Sequence, residues 1–146
     1  MPVGDVLLTG IADRIEIAPG HGAILDFKTG KPPTNDQVNS GLSPQLLLEG
    51  AMLMAGCIDG VPKATPTELV YWQFGGAKPA PQTVDSEGGP VRAAETALTN
   101  LRALLAKYAD PRQPFYSKPR VQFLKPYDEY DLLARRKEWA AERGEE

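Results

Sequence analysis

Two aspartates and a lysine are the residues of this chain best placed to do chemistry: Asp13 in Ile11-Ala12-Asp13-Arg14-Ile15, and Asp26 and Lys28 in Ile24-Leu25-Asp26-Phe27-Lys28. Ile11, Ile15 and Ile17 share one parity and Ala12, Arg14 and Glu16 the other, the period-2 pattern of a strand. Ala23 to Lys28 reads as a second strand after the turn cluster Pro19-Gly20-His21-Gly22. If that cluster is a four-residue loop, Ala18 faces Ala23, Ile17 faces Ile24, Ile15 faces Asp26 and Asp13 faces Lys28. The trio then shares one sheet face with Ile11, Ile15, Ile17 and Ile24, and Asp26 lies diagonal to Asp13. Charged groups on an apolar face need a partner or a metal ion. Carboxylate oxygens are hard ligands suited to Mg²⁺ or Mn²⁺, and a nearby lysine can stabilise a phosphate in its transition state, so the trio suits phosphodiester hydrolysis. The same spacing also fits a plain Asp–Lys ion pair at a solvated sheet end, and a one-residue slip in register separates the group.

Other elements must hold this trio in place. The strand pattern runs from Val6 to Ile17, with a bend or bulge expected at Gly10. Thr34 with Gln37 fits a capping box, predicting a short helix over 35–40 that stops at Gly41. Ser43 as N-cap and Pro44 at the first helical position start a longer helix from Pro44 to Ala55, which is apolar all round and ends at Gly56. Thr67 to Phe74 has the β-branched and aromatic content of a third strand. A Gly/Pro-rich link from Gly75 to Pro90 follows, and Val91 to Tyr108 carries a helical stripe of Ala94, Leu98, Leu101 and Leu105. The order β-β-α-β-α describes an α/β domain with a mixed sheet. Beyond it lies an extended arm ending in a helix over 129–143. The expected division is a core over 1–109 and an extension over 110–146.

Composition narrows the possible roles. The chain has 146 residues, 42% hydrophobic and 24% charged, and Gly and Pro fill 14 positions each. That is a loop-rich globular composition, not a coiled coil or a disordered tail. No apolar stretch is long enough to cross a bilayer, and a cytoplasmic location is expected. Cys57 is the single cysteine, which excludes an internal disulfide or a metal cluster built from cysteines of this chain. A net charge of −3 is not that of a free-standing nucleic-acid binder. Arg112, Phe115, Tyr116, Lys118, Arg120, Phe123, Lys125 and Tyr127 could stack bases and neutralise phosphates, or form an arm packing on the core or on a partner. His21, the sole histidine, reads as a solvated turn residue. Thr29-Gly30-Lys31-Pro32 resembles the end of a P-loop, but Leu25 and Pro32 stand where that pattern needs Gly and Ser or Thr.

Taken as a series, Gly10-Ile11-Ala12-Asp13-Arg14-Ile15, Ile24-Leu25-Asp26-Phe27-Lys28-Thr29-Gly30-Lys31 and Gln45-Leu46 resemble the motifs of the RecB-type PD-(D/E)XK nucleases. Within them the series is most similar to the C-terminal nuclease domain of AddB-type helicase–nuclease subunits, as found in alphaproteobacteria. The likeness extends to Ala51-Met52-Leu53, Glu68-Leu69-Val70-Tyr71-Trp72 and Asp128-Glu129-Tyr130-Asp131, with Leu133-Ala134-Arg135 and Glu138-Trp139 near the end. It implies a restriction-endonuclease-like core in which a mixed sheet is flanked by helices. Asp13, Asp26 and the Phe27 backbone carbonyl would ligate Mg²⁺ or Mn²⁺, Lys28 would be the catalytic lysine, and Gln45 would lie beside the site. Arg14 and Lys31 would be available to contact DNA. The implied activity is hydrolysis of a DNA strand during double-strand-break processing for recombination, with an AddA-type subunit as heterodimer partner. A non-catalytic scaffold that binds DNA or the partner is the alternative.

Two features depart from the family pattern. Its glutamine motif commonly continues as QxxxY, whereas Glu49 stands one turn after Gln45, either as a further polar group of the site or as a solvated helix residue. RecB-type nucleases also carry an upstream helix with a His or Glu that completes the metal site. Twelve residues precede Asp13 and none forms such a helix, so the chain is expected to be the C-terminal part of a longer polypeptide. Some members hold a four-cysteine iron–sulfur cluster, which the lone Cys57 argues against.

Overall fold

A computed structural model describes residues 1–75 and 80–115. The predicted helix over 129–143 and the part of the basic, aromatic run beyond Phe115 lie outside the described residues. Packing divides the chain into a unit from Met1 to Lys107 and a second from Tyr108 to Glu146. In the described part of the second unit, the Tyr108 and Phe115 rings stack 4.7 Å apart and Arg112 pairs with Asp110 at 2.9 Å.

The first unit is built on a four-stranded mixed sheet. The single long strand expected over 6–17 is instead two. β1 (Pro2–Val3) and β2 (Val6–Leu7) form a small hairpin around Gly4-Asp5, and β3 (Arg14–Ala18) begins only after Asp13. Ile11, expected on the apolar face, is 90% exposed. β4 (His21–Lys28) starts two residues earlier than expected because the hairpin turn is the two-residue Pro19-Gly20, with Gly20 at φ 77°. Proline followed by a glycine in that region closes a tight turn that a four-residue loop would leave open. The register therefore shifts by two. Ile15 faces Ile24, Ile17 faces Gly22 and Ala18 faces His21, not the partners a four-residue loop would give. An even shift preserves parity, so within the paired strands Ile15, Ile17 and Ile24 stay on one face, without Ile11.

α1 (Asn35–Asn39) has the reciprocal Thr34–Gln37 capping box. α2 (Gln45–Ala55) is capped by the Pro44 backbone with no side-chain bond, in place of the Ser43 cap expected, and ends at Gly56 in the left-handed conformation. β5 (Thr65–Gln73) lies parallel to β4, and β6 (Ala80–Thr83), inside the segment expected to be a link, pairs antiparallel with β5. α3 is Gly89–Ala109. The sheet order is β3-β4-β5-β6, with central β4 paired on both sides.

Alternation along β4 buries Gly22, Ile24 and Asp26 on one face, and α2 covers that face. A side chain at Gly22 would meet Leu53 of α2 at 2.8 Å, and one at Gly50 would meet Ala94 of α3 at 3.3 Å and Leu69 of β5 at 3.6 Å. α2 is thus pressed between sheet and α3, which is why it is apolar on more than one side. Ile24, Val38, Leu46, Leu53, Leu69 and Tyr71 form the centre of the core. On the other sheet face Phe27, Trp72 and Phe74 are partly exposed and pack edge to face or tilted. No helix among the described residues is long and apolar enough to cross a membrane.

Candidate active site

The end of the parallel β4–β5 pair gathers the chemistry. Open sheets place ligands beyond the carboxyl ends of parallel strands, where helix N-termini also point, and Asp26 and Lys28 are among the last residues of β4. Asp26 is 3% exposed, so its charge must be met from within the protein. Lys28 Nζ stands 2.7 Å from Asp26 Oδ2. Gln45, the first residue of α2, donates from Nε2 to Asp26 Oδ1 at 2.9 Å and to Glu49 Oε1 at 3.1 Å. One amide thereby bridges two carboxylates, using both of its hydrogens.

Asp13 joins from the start of β3. Its Oδ2 accepts the Phe27 N–H at 2.8 Å, so a carboxylate takes the place of a strand carbonyl, explaining why β3 begins one residue later. Asp13 itself is exposed. Arg14 shares the opposite face with Leu25 and pairs with Glu16 at 2.8 Å, away from Asp26. Lys31 is exposed in the loop that leaves β4, and His21 is exposed beside the hairpin turn.

Two more residues belong to the cluster: Glu49, which the sequence left open between a polar group of the site and a solvated helix residue, and Tyr71, which it did not single out. Glu49 is 6% exposed, and its Oε2 is buried without a hydrogen-bond partner among the described residues. Burial pushes its pKa up; the Gln45 hydrogen bond opposes this, the charges of Asp26 and Asp13 add to it, and Lys28 opposes it. The four-residue spacing from Gln45 was the available signal, since it puts both side chains on one helix face. Tyr71 faces Asp26 across the parallel register and is 1% exposed. Its ring lies under Lys28, with Nζ 5.7 Å from the centroid. Burial first, then the charges of Asp26 and Glu49, pushes its hydroxyl up to about 12. Only the register of β5 against β4 could have revealed it.

The site carries the carboxylates of Asp13, Asp26 and Glu49 against the single ammonium of Lys28. Buried carboxylate oxygens without full hydrogen bonding, Asp26 Oδ2 and Glu49 Oε2, fit a hard divalent cation in donor chemistry. Among the described residues, no group of three His, Cys, Asp or Glu side chains is close enough to hold a metal ion by itself. Asp13, Asp26 and the Phe27 carbonyl would hold such a cation with waters filling its other positions.

Comparison with known proteins gives the family. A stretch of 51 residues, 34% of this chain, is 53% identical to an uncharacterized protein of Rickettsia felis and 51% identical to one of Rickettsia conorii. That stretch spans only 6% of the length of each of these relatives. No solved structure gives a significant match. The profile of the PD-(D/E)XK nuclease superfamily matches residues 1–120. The mixed sheet with its flanking helices has the form of a restriction-endonuclease-like fold, and the chain belongs to the PD-(D/E)XK nuclease superfamily.

Proposed function

We propose that this chain is the nuclease part of an AddB-type helicase–nuclease, hydrolysing phosphodiester bonds of a DNA strand during double-strand-break processing, with Mg²⁺ or Mn²⁺ and an AddA-type partner. The observation that carries this reading is the convergence of Asp26, Lys28 and Gln45 at the end of the parallel strand pair. Asp26 and Asp13, with the Phe27 carbonyl, are the ligands for the cation. When bound, the cation would polarise the phosphate and lower the pKa of a water. Lys28, tethered to Asp26 and one-third exposed in its side chain, presents its remaining N–H donors outward to stabilise charge developing on a phosphate oxygen. Gln45 holds the Asp26 carboxylate in one rotamer. The net charge of −3 is compatible with DNA held mainly by other parts of a longer protein, since phosphate neutralisation dominates affinity. Lys31, exposed in the loop that leaves β4, remains a candidate for a local contact with DNA, whereas Arg14 lies on the opposite face, paired with Glu16.

In the full-length protein, Asp26→Asn and Lys28→Met should each abolish Mg²⁺-dependent cleavage of DNA while leaving strand unwinding intact. Cleavage at the wild-type rate in either variant, or in excess EDTA, refutes the assignment. One observation favours the non-catalytic scaffold instead: no three-ligand group converges among the described residues. Calorimetric titration with Mn²⁺ separates the two. Binding lost in Asp13→Ala supports the nuclease, and no binding at millimolar Mn²⁺ supports the scaffold.

A further inference from the structure

Lysine side chains are long and flexible, and a catalytic ammonium must nevertheless be held at one place. Asp26 Oδ2 supplies one restraint, 2.7 Å from Nζ. A single ion pair leaves the ammonium free to swing about the carboxylate. The second restraint comes from the neighbouring strand. Asp26 is paired in register with Tyr71, and Lys28 with Gln73. Lys28 therefore leans back along β4 over the Tyr71 ring, its Nζ 5.7 Å from the centroid. That distance lies inside the range at which a ring face attracts a cation. The ring is itself immobile, being 1% exposed and part of the core.

Resting on the reading of Lys28 as the catalytic lysine, we propose that Tyr71 is a positioning residue, whose ring face and the Asp26 carboxylate together aim the Lys28 ammonium at the scissile phosphate. Tyr71 acts through Lys28, not on substrate. The contribution of the ring is its quadrupole, presented face-on to the ammonium at 5.7 Å.

The test grades the ring's electron density with only small changes in its size. In the full-length protein, position 71 is replaced by phenylalanine and then by 4-fluoro- and 3,4,5-trifluorophenylalanine. Taking phenylalanine as the reference, kcat should fall stepwise with fluorination, by about 10-fold at the trifluoro ring, with KM and Tm unchanged. A flat series overturns the inference. In parallel, the Lys28 ε-methylene protons of the 146-residue chain are observed by NMR and assigned by their loss in Lys28→Arg. A ring-current shift in the wild type that disappears in Tyr71→Leu supports the contact. Random-coil shifts in the wild type overturn it. Lys28→Met separates the two levels of the reading. If that variant still cleaves, the nuclease role of Lys28 fails and the inference falls with it. If it is inactive while the fluorinated series is flat, only the role of Tyr71 fails.

Discussion

Glu49→Gln should stabilise the fold near neutral pH and lose that advantage in acid. Glu49 is buried; its Oε1 accepts from Gln45 at 3.1 Å, but Oε2 has no partner among the described residues. Glutamine keeps the shape and the acceptor toward Gln45, removes the charge, and puts an NH₂ group among carboxylates. A buried unpartnered polar atom costs about 1–3 kcal/mol, so recovering part of it should gain roughly 1–2 kcal/mol at pH 7. For a unit of this size that corresponds to a rise in Tm of some degrees, about 4 °C or more per kcal/mol. The pH dependence follows from the direction of the shift. Burial raises the folded-state pKa above the ordinary value of 4.5, so folding favours the protonated form. The stability of the wild type relative to the variant is then greatest below 4.5 and declines as pH rises through the folded-state pKa. Urea unfolding of both chains, in chelator so that no cation neutralises the cluster, should show the gain at pH 7 and none near pH 4. A less stable variant at pH 7, or an equal difference at both pH values, refutes the reasoning.

Two further substitutions test the surroundings of the site. In Gly75→Ala the new methyl group would fall 1.8 Å from the Thr29 carbonyl oxygen, forcing apart the Phe74 N–H to Lys28 carbonyl bond of 2.9 Å beside it. A loss of roughly 1–3 kcal/mol in urea unfolding and a fall in kcat are expected, and a wild-type midpoint would refute the close approach. Asp13→Ala removes the acceptor of the Phe27 N–H, with an expected cost of about 0.5–1.5 kcal/mol. Asp13→Asn should restore that stability yet still bind Mn²⁺ less tightly than the wild type, and equal calorimetric affinities would count against Asp13 as a ligand.

The local parts of this site were readable in the sequence because their causes are local. Asp26 and Lys28 sit two apart on a strand, so their shared face follows from alternation alone. The Thr34–Gln37 box formed as its chemistry dictates. The hairpin register was harder, because Pro19-Gly20-His21-Gly22 admits more than one loop, and the tighter turn was chosen. Parity survived that shift, so the face was right although the pairs were not. β6 was hidden in a Gly/Pro-rich stretch, since an edge strand tolerates Pro81 without a donor to its neighbour. Tyr71 and the burial of Glu49 depend on where β5 and α2 come to rest. No sequence period encodes such long-range contacts.

The parallel pairing of β4 with β5 also sets the order in which the site can come into being. It joins Ile24 to Leu69, 45 positions apart, whereas the β3–β4 hairpin closes over the two residues Pro19-Gly20. Short loops close early and long ones late. A chain emerging from synthesis thus acquires the Asp26-Lys28 strand first, as a solvated hairpin. Gln45 follows with α2, and Tyr71 arrives last with β5. Until that strand docks, Asp26 lacks part of the packing that buries it and Lys28 lacks the Tyr71 ring beneath its ammonium.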